Sequence, residues 1–484
     1  MDDTPLPSLG PYPGVAKAPT GVEGLDQITS GGFPRGRTTL VCGAAGCGKT
    51  LLGMEFLVRG ARDFDEPGVF VSFEESGHDL SENVRSLGFD LPDLIERKKV
   101  VVDHVRLEKG ELEETGEYDL EGLFVRLGFA IDSINAKRVV LDTIETLFTG
   151  LSNENLLRAE LVRLFRWLKD RGVTAVVTGE RGEGTLTRHG LEEYVSDCVI
   201  FLDHRVDEQV STRRLRIVKY RGSAHGTNEY PFLIDADGFV VLPLTSHGLE
   251  HQVSDERIST GIGTLDEMLG GGLYRASSVL LSGAAGTGKT SIVANIADAA
   301  ARRGERAIIF AFEESPRQIV RNMGSIGLDL QRHIDAGLLR IHSVRPTFFG
   351  LEMHLVQMHR YMQEFKPSIV LVDPISNFTA VGSNTQAGEM LLRLVDTLKQ
   401  QGVTGVFVNL THAGEHDRTV SSVSSLMDTW IILRDFEQKG ERLRGLFVLK
   451  SRGTDHSRRV REMRISSGGV EIGDGIEVDG LVRP

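Results

Sequence analysis

Residues 43–50 read GAAGCGKT, and residues 283–290 read GAAGTGKT. Both stretches match the phosphate-binding loop G-x-x-x-x-G-K-[ST], whose glycines let consecutive backbone N–H groups turn towards a phosphate chain. In such loops the lysine, here Lys49 or Lys289, reaches the β- and γ-phosphates, and the hydroxyl of Thr50 or Thr290 binds Mg²⁺. A single match could be an ordinary glycine turn before a helix, but two matches in similar surroundings predict two nucleotide sites.

The sequence around the two loops is duplicated. Thr20-Gly21 precedes the first loop and Thr260-Gly261 precedes the second, at the same offset of 240 residues (283 − 43) that separates the loops. A period this long indicates a repeated domain rather than a solenoid of short repeats. The predicted divisions are a flexible tail at 1–15, a first domain at 16–246, a linker at 247–257, a second domain at 258–465 and a Gly-rich tail at 466–484 that forms a short hairpin or stays disordered.

The composition limits the class of protein. Hydrophobic residues make up 40% and charged residues 25% of the 484 residues, as in ordinary globular chains. The net charge of −13 argues against general nucleic-acid coating. Three cysteines, an odd number, do not suggest a disulfide framework. With no basic apolar leader and no run of 18 apolar residues, the sequence predicts a cytoplasmic protein without a membrane span.

Strands and helices alternate in each half. Apolar strands end in an aspartate, RVVLD at Asp142 and SIVLVD at Asp373, whereas the later segments alternate like antiparallel strands. The pattern predicts an α/β fold of two tandem RecA-like P-loop NTPase domains, each with a mainly parallel sheet flanked by helices. Asp142 and Asp373 are predicted to hold Mg²⁺ with Thr50 and Thr290, the alternative being a helix cap after a strand.

A carboxylate pair follows the strand after each loop. The tetrapeptide FEES places Glu74 and Glu75 in the first half, and Glu313 and Glu314 in the second. Ligands bind at the carboxyl ends of strands in α/β sheets, so one carboxylate of each pair could activate a water or a hydroxyl for attack on the γ-phosphate. The other could orient the first or contact Mg²⁺. The alternative is two solvated glutamates near a helix start.

A K-x-R pair follows a late strand in each half. Lys219 and Arg221 correspond to Lys450 and Arg452 at an offset of 231 residues (450 − 219), the same as from Asp142 to Asp373. Two cations spaced by two on a strand share one face and could reach the nucleotide of a neighbouring subunit. The alternative is a solvated basic edge. The first interpretation predicts an oligomer with ATP between subunits.

The halves differ before the next strand. EEYVSDCVIFL in the first half aligns with VSSLMDTWIIL in the second, so Ser424 and Ser425 stand where the first half has Glu193 and Tyr194. Only the second half therefore offers two adjacent hydroxyls at this place. Taken alone, two serines in a Ser-rich loop indicate a turn.

The duplicated halves, the two FEES segments, KYRGSAHGTNEYPF at 219–232 and SSVSSLMDTWIIL at 421–433 resemble the circadian clock protein KaiC family. The resemblance covers about residues 16–470. It implies a double-ring homohexamer that binds ATP or ADP with Mg²⁺ between subunits. It further implies a first ring that hydrolyses ATP slowly and a second ring that phosphorylates and dephosphorylates its own Ser and Thr residues.

Carried over by position, the resemblance makes Ser424 and Ser425 phosphoacceptors, with Thr419 as a nearby third hydroxyl. Glu313 then activates the acceptor hydroxyl and contributes to the Mg²⁺ site. The nucleotide contacts implied by the loops and by the resemblance are Gly43, Ala45, Gly46, Cys47, Gly48, Lys49, Thr50, Leu51, Ser86, Lys219, Tyr220, Arg221, His225, Gly283, Ala285, Gly286, Thr287, Gly288, Lys289, Thr290, Ser291, Arg444, Lys450, Ser451 and Arg452.

The sequence departs from the family in three places. Ile326 stands where the family often has an aromatic residue on the adenine. The chain ends soon after Ile465, so a KaiA-type activator is not expected to bind. Segment 105–120 corresponds to the region that docks KaiB but differs in detail. Two other classes stay open: a RecA-like DNA-handling ATPase, and a scaffold that binds ATP without significant turnover.

Overall fold

The computed structural model describes residues 14–105, 120–147, 154–182, 185–187, 190, 195–207, 210–243, 254–411, 424–438 and 441–476. The chain divides into two compact units between Leu244 and Thr245. Each unit carries a phosphate-binding loop. In the described ranges, no helix combines the length and apolarity that crossing a bilayer requires.

The first unit is built on a nine-stranded sheet, preceded by a short ribbon of β1 (Lys17–Ala18) and β2 (Phe33–Pro34). The strands of the sheet are β3 (Thr38–Gly43), β4 (Gly68–Ser72), β5 (Val100–His104), β6 (Arg138–Asp142), β7 (Thr174–Glu180), β8 (Cys198–Asp207), β9 (Val210–Tyr220), β10 (Glu229–Asp235) and β11 (Gly238–Val241). Their order is β11-β10-β9-β8-β3-β7-β6-β4-β5. From β8 to β5 neighbouring strands are parallel, and β9 to β11 continue the sheet antiparallel.

The second unit repeats this plan. Its ribbon is β12 (Arg257–Ile258) and β13 (Leu273–Tyr274). Its sheet consists of β14 (Ser278–Gly283), β15 (Ala307–Ala311), β16 (Leu339–Ser343), β17 (Ile369–Asp373), β18 (Thr404–Leu410), β19 (Thr429–Gln438), β20 (Glu441–Ser451), β21 (Arg461–Ser466) and β22 (Gly469–Gly475). The order is β16-β15-β17-β18-β14-β19-β20-β21-β22. The predicted α/β fold with a parallel core and antiparallel late strands is confirmed in both halves.

Helices flank both sheets. In the first unit they are Leu25–Ile28, Lys49–Asp63, Gly77–Arg85, Leu91–Glu96, Glu121–Ile134, Ile144–Leu147 and Glu154–Asp170. In the second unit they are Gly263–Met268, Lys289–Arg302, Pro316–Gly324, Leu330–Asp335, Leu351–Phe365 and Asn384–Gln400, with 3₁₀ turns at Pro346–Phe348 and Ile375–Ala380.

The central strand explains why the helices cover both faces of the sheet. Every residue of β3 is buried, and successive side chains point to opposite faces. Val41 therefore joins one apolar cluster, while Leu40 and Cys42 join another on the opposite face. A parallel strand buried on both faces favours consecutive apolar residues, as at Leu40, Val41 and Cys42.

The second sheet extends beyond the end predicted for its domain. The boundary at 465/466 falls within β21, and β22 pairs with β21 antiparallel. Val470 and Ile472 of β22 are buried in the core of the second unit. The described part of the predicted C-terminal tail therefore forms one strand of a hairpin, whose alternate apolar residues cover the core.

His354 lies in an aromatic cluster of the second unit. Its ring is 2% exposed, packs against Phe312, Phe349 and Phe378, and its Nε2 lies 2.8 Å from the Pro346 carbonyl oxygen. Burial lowers the pKa of His354 below its usual 6.5, against the raising effect of the bond to Pro346. The fold therefore favours the neutral ring.

We expect this burial to make the protein less stable in acid. Below about pH 6.5 the unfolded histidine takes up a proton that the folded one resists, so stability contributed by neutral His354 is lost as pH falls through its lowered pKa. Each pKa unit of lowering corresponds to about 1.4 kcal/mol. The midpoint of thermal unfolding should fall less between pH 7.5 and 5.5 in His354→Phe than in the wild type. His78→Gln, at a residue 80% exposed, should keep the wild-type pH dependence; an unchanged dependence in His354→Phe would contradict the expectation.

Candidate nucleotide and carboxylate site

The two phosphate loops have the same local geometry. Gly48 and Gly288 adopt φ of 105° and 97° just before their helices. A Cβ at Gly48 would lie 2.8 Å from both Ile234 and Phe239, so this position needs glycine for its conformation and for the close approach of the β10–β11 hairpin. Backbone N–H groups at the start of a helix suit an anion such as a phosphate chain.

Each loop lysine is folded across its own loop. Lys49 Nζ donates to the Gly43 and Ala44 carbonyl oxygens at 2.9 and 3.0 Å. Lys289 Nζ does the same to Gly283 and Ala284 at 2.7 and 2.6 Å. Burial lowers the pKa of Lys289 to about 8, although Asp373 and Glu313 nearby act to raise it. Both ammonium groups therefore lie inside the loops that are predicted to hold phosphate.

A threonine hydroxyl meets an aspartate beside each loop. Thr50 Oγ1 donates to Asp142 Oδ2 at 2.8 Å, and Thr290 Oγ1 donates to Asp373 Oδ2 at 2.7 Å. Hydroxyl and carboxylate oxygens are hard ligands, and Mg²⁺ is commonly held by one or two such groups together with phosphates and waters. This donor set fits Mg²⁺ at the predicted residues.

The two aspartates lie in a desolvated environment. Burial raises the pKa of Asp373 to about 6, against the lowering effects of the Thr290 hydrogen bond and Lys289. Burial also raises the pKa of Asp142, which accepts hydrogen bonds from Thr178 and Thr50. A bound divalent cation would favour the charged form of each carboxylate.

The carboxylate pairs lie between a strand end and a capped helix. Ser76 caps the helix Gly77–Arg85 by accepting from Asp79 N, and Ser315 caps the helix Pro316–Gly324 by accepting from Gln318 N. The FEES serine thus begins the helix, and the two glutamates before it occupy the short connection from the strand.

Within each pair the two glutamates have different partners. Glu74 Oε1 accepts from the hydroxyls of Thr143 and Thr146, both at 3.1 Å, whereas Glu75 accepts from Asn83 at 2.9 Å. Thr143 and Thr146 follow the strand that ends in Asp142. Glu74 therefore turns towards the predicted Mg²⁺ ligand, and Glu75 towards its own helix.

The second half shows the same division. Glu313 Oε1 accepts from Asn377 Nδ2 at 3.1 Å, and Glu314 accepts from Asn322 Nδ2 at 3.1 Å. Asn377 follows the strand that ends in Asp373, so Glu313 corresponds to Glu74. The FEES motif alone did not rank the members of each pair, and the family resemblance ranked only Glu313 over Glu314. These contacts favour the first glutamate of both pairs as the reacting group.

The K-x-R pair of the second half contacts the serine pair of the same chain. Lys450 Nζ donates to the Ser424 carbonyl oxygen at 3.1 Å, and Arg452 Nη2 donates to the Ser425 carbonyl oxygen at 2.7 Å. Partial burial lowers the pKa of Lys450, and the positive charge of the nearby Arg452 lowers it further. The structure thus brings together two predicted features that are 26 or 27 residues apart.

The residues between the two cations face the opposite way. Tyr220 is buried and its hydroxyl donates to the Gly32 carbonyl oxygen at 2.8 Å. Ser451 is also buried, with its hydroxyl 3.2 Å from that of Thr429. Side chains alternate along a strand, so Tyr220 and Ser451, the last residues of β9 and β20, face away from Lys219 and Lys450.

Three other predicted contacts lie on loops and strands around these elements. His225 Nδ1 is 3.5 Å from the Ser223 carbonyl oxygen, and its ring stacks near Tyr220. Ser86 ends the helix Gly77–Arg85. Arg444 lies opposite Asp435 in the β19–β20 ladder. Thr419, Glu193, Tyr194 and residues 106–119 of the predicted KaiB-docking segment lie outside the described residues.

Sequence reasoning missed several polar partners. Thr143, Thr146 and Asn377 were not singled out, although they orient the first glutamates. Arg213 was also missed, yet it stands 231 residues before Arg444, the offset that relates the two K-x-R pairs. Applying that offset to every polar residue of β9 and β20 would have found it.

Comparisons with known proteins find one matching family model and related proteins along most of the chain. A family model described as the KaiC ATPase matches residues 18–246 and again 258–477. A circadian clock protein KaiC2 of Synechocystis sp. is 55% identical over 97% of this chain and 84% of its own length. Circadian clock oscillator proteins KaiC of Picosynechococcus sp. and Synechococcus elongatus are 40% and 39% identical, over 96% and 95% of this chain and 91% and 89% of their own lengths.

Proposed function

Since this chain belongs to the KaiC family of ATPases, we propose that its first half hydrolyses ATP and its second half transfers phosphate to the chain's own serines. ATPase activity is the function of the family, and phosphoryl transfer to the chain's own serines is the more specific proposal. One observation carries it: both halves have the loop, the Thr–Asp pair and an oriented glutamate, and in the second half the K-x-R cations contact the carbonyls of Ser424 and Ser425.

In the first half, Glu74 accepts a proton from a water whose oxygen forms a bond to the γ-phosphorus. The bond to the bridging β,γ-oxygen breaks, ADP leaves with that electron pair, and inorganic phosphate is released. Thr143 and Thr146 hold its carboxylate towards the strand end of Asp142. Lys49 and the loop N–H groups bind the phosphate chain and stabilise the charge on it. Positioning and electrostatics supply most of the catalysis in phosphoryl transfer, so these contacts account for most of the rate enhancement.

In the second half, Glu313 accepts the hydroxyl proton of Ser424 or Ser425. The serine Oγ forms a bond to the γ-phosphorus, the bond to the bridging β,γ-oxygen breaks, and ADP leaves with that electron pair. Water as the attacking group in place of serine gives hydrolysis with the same carboxylate. In the reverse direction, which the family resemblance implies, a β-phosphate oxygen of ADP forms a bond to the phosphorus of the phosphoserine. The Oγ–P bond breaks, and Glu313 returns a proton to the serine Oγ.

Thr50 with Asp142, and Thr290 with Asp373, are the groups that would hold Mg²⁺, and Glu313 is near enough to affect the charge of Asp373. Bound Mg²⁺ neutralises charge on the phosphate oxygens. The chain's own contribution is the fixed orientation of each hydroxyl towards its carboxylate.

We propose that the protein acts as a cytoplasmic timing or signalling switch in which ATP lies between subunits of a homohexamer. The three cysteines are buried free thiols, as suits a reducing compartment. A KaiB-like protein on the first ring remains a proposed partner, whereas a KaiA-type activator, nucleic acid and membranes are not proposed. Phosphopeptide mass spectrometry of the purified protein after incubation with ATP and Mg²⁺ tests the autokinase directly.

ATP should favour the hexamer, because the K-x-R cations of one subunit would contact the nucleotide of the next. Light scattering should show a shift from small species to a hexamer when ATP and Mg²⁺ are added. Lys49→Ala should weaken this shift, since it removes a phosphate contact in the first half. A monomer in both buffers would contradict the ring arrangement.

A further inference from the structure

The two halves hold their first glutamate with different side chains at one corresponding place. Thr146 and Asn377 are related by the offset of 231 residues, and each follows a strand that ends in the predicted Mg²⁺ ligand. Thr146 Oγ1 donates to Glu74 Oε1, and Asn377 Nδ2 donates to Glu313 Oε1, both at 3.1 Å. A hydroxyl and an amide thus make the same contact in two copies of the site.

The corresponding contacts of the second glutamates do not vary in this way. Glu75 and Glu314 both accept from an asparagine, Asn83 or Asn322, on the helix that FEES begins. The hydrogen bond that joins the first glutamate to the segment after the aspartate-bearing strand is therefore the contact that differs between the halves. The two proposed reactions also differ between the halves, because the attacking group is water in the first half and serine in the second.

We propose that Asn377 is the positioning residue for Glu313 in phosphoryl transfer, and that Thr146 with Thr143 positions Glu74 in hydrolysis. The assignment rests on the proposed function for the role of Glu313. A donor at Oε1 restrains a side chain that otherwise rotates about three bonds. The carboxylate then points towards the strand end of Asp142 or Asp373, where the attacking group must lose its proton.

Among the residues that the structure describes, the number of side-chain donors to the first glutamate also differs between the halves. Thr143 adds a second hydroxyl to Glu74, whereas the corresponding residue, Pro374, has no side-chain donor. In the described part of the second half, Asn377 is the side-chain donor to Glu313, while Glu74 retains one hydroxyl donor when the other is removed. Loss of Asn377 should therefore have a larger effect in its half than loss of Thr146 alone.

The kinase arm of the test measures phosphate incorporation and ATP affinity in the full-length hexamer. Asn377→Ala should slow incorporation by about 10-fold or more, because a misdirected base loses its alignment with the attacking oxygen, and should leave ATP affinity within about 2-fold. Asn377→Thr, which copies the first half, should recover the rate to within about 3-fold of wild type. Thr379→Ala, in the same 3₁₀ turn but with its hydroxyl on the Ser376 carbonyl, should behave as wild type.

Other results would overturn the proposal. Wild-type incorporation in Asn377→Ala, a loss confined to ATP affinity, or a larger loss in Asn322→Ala than in Asn377→Ala would each do so. If Asn377→Ala fails to assemble, Asn377→Thr and Asn377→Asp decide. The threonine keeps a donor and should keep incorporation, whereas the aspartate repels Glu313 and should lose it; equal rates would contradict the assignment.

The hydrolysis arm is independent of the autokinase. In a Glu313→Gln background, Thr143→Ala with Thr146→Ala should slow phosphate release by about 10-fold or more, and Thr146→Ser should retain it. If the wild-type protein incorporates no phosphate, the autokinase assignment fails while this arm still measures positioning of Glu74. Unchanged release in the double alanine variant would overturn the positioning role itself.

Discussion

Replacing Glu74 with Gln should lower ATP hydrolysis by the first half by about 10²–10⁴-fold, since the candidate base is lost while the shape is kept. The amide oxygen of Gln can still accept from Thr143 and Thr146, so the local contacts survive. The fall corresponds to about 3–5 kcal/mol of barrier. Phosphate release measured in a Glu313→Gln background isolates the first half.

Glu75→Gln is the matched comparison. Glu75 is held by Asn83 on its own helix, so its loss should cost hydrolysis less than the loss of Glu74. ATP binding, followed by equilibrium titration, should be retained in both variants because the loop and Thr50 are intact. Phosphate release by Glu74→Gln at the wild-type rate would show that another group is the general base. A greater loss of release in Glu75→Gln than in Glu74→Gln would show that Glu75 is the more important glutamate of the pair.

Combining Ser424→Ala with Ser425→Ala should abolish most phosphate incorporation while leaving hydrolysis by the first half largely intact. Phosphoryl transfer needs the acceptor oxygen, the carboxylate and the γ-phosphate together, and the alanines remove only the acceptor. The carbonyl contacts of Lys450 and Arg452 use backbone atoms, so they remain available. Incorporation of labelled phosphate, with peptide mapping, measures the result.

Glu313→Gln provides the complementary variant. It keeps both serines and removes the candidate base, so incorporation should also be lost. A phosphoryl group on either serine would add about −1.5 to −2 charges close to Lys450 and Arg452, a change able to alter subunit packing. If the double alanine protein incorporates as much phosphate as the wild type, the assignment to this serine pair is wrong.

The sequence by itself determined the parts of this protein whose chemistry is local. The phosphate loops are eight-residue motifs, and the strands ending in Asp142 and Asp373 read as apolar runs followed by one charge. The duplication provides two copies of each pattern, so the α/β fold could be predicted, and Thr50 and Asp142 could be assigned to one predicted Mg²⁺ site. Periodicity and short motifs depend only on residues close together in the sequence, so they can be recognised without knowledge of the fold.

Only the tertiary structure decided which glutamate of each pair turns towards the aspartate-bearing strand. The hydrogen bond from Thr143 to Glu74 joins residues 69 apart, and that from Asn377 to Glu313 joins residues 64 apart. The contact of Lys450 with Ser424 spans 26 residues, and Tyr220 reaches Gly32 across 188. Side-chain direction at such contacts is set by which strands lie side by side in the sheet, and no local pattern in the sequence records that order.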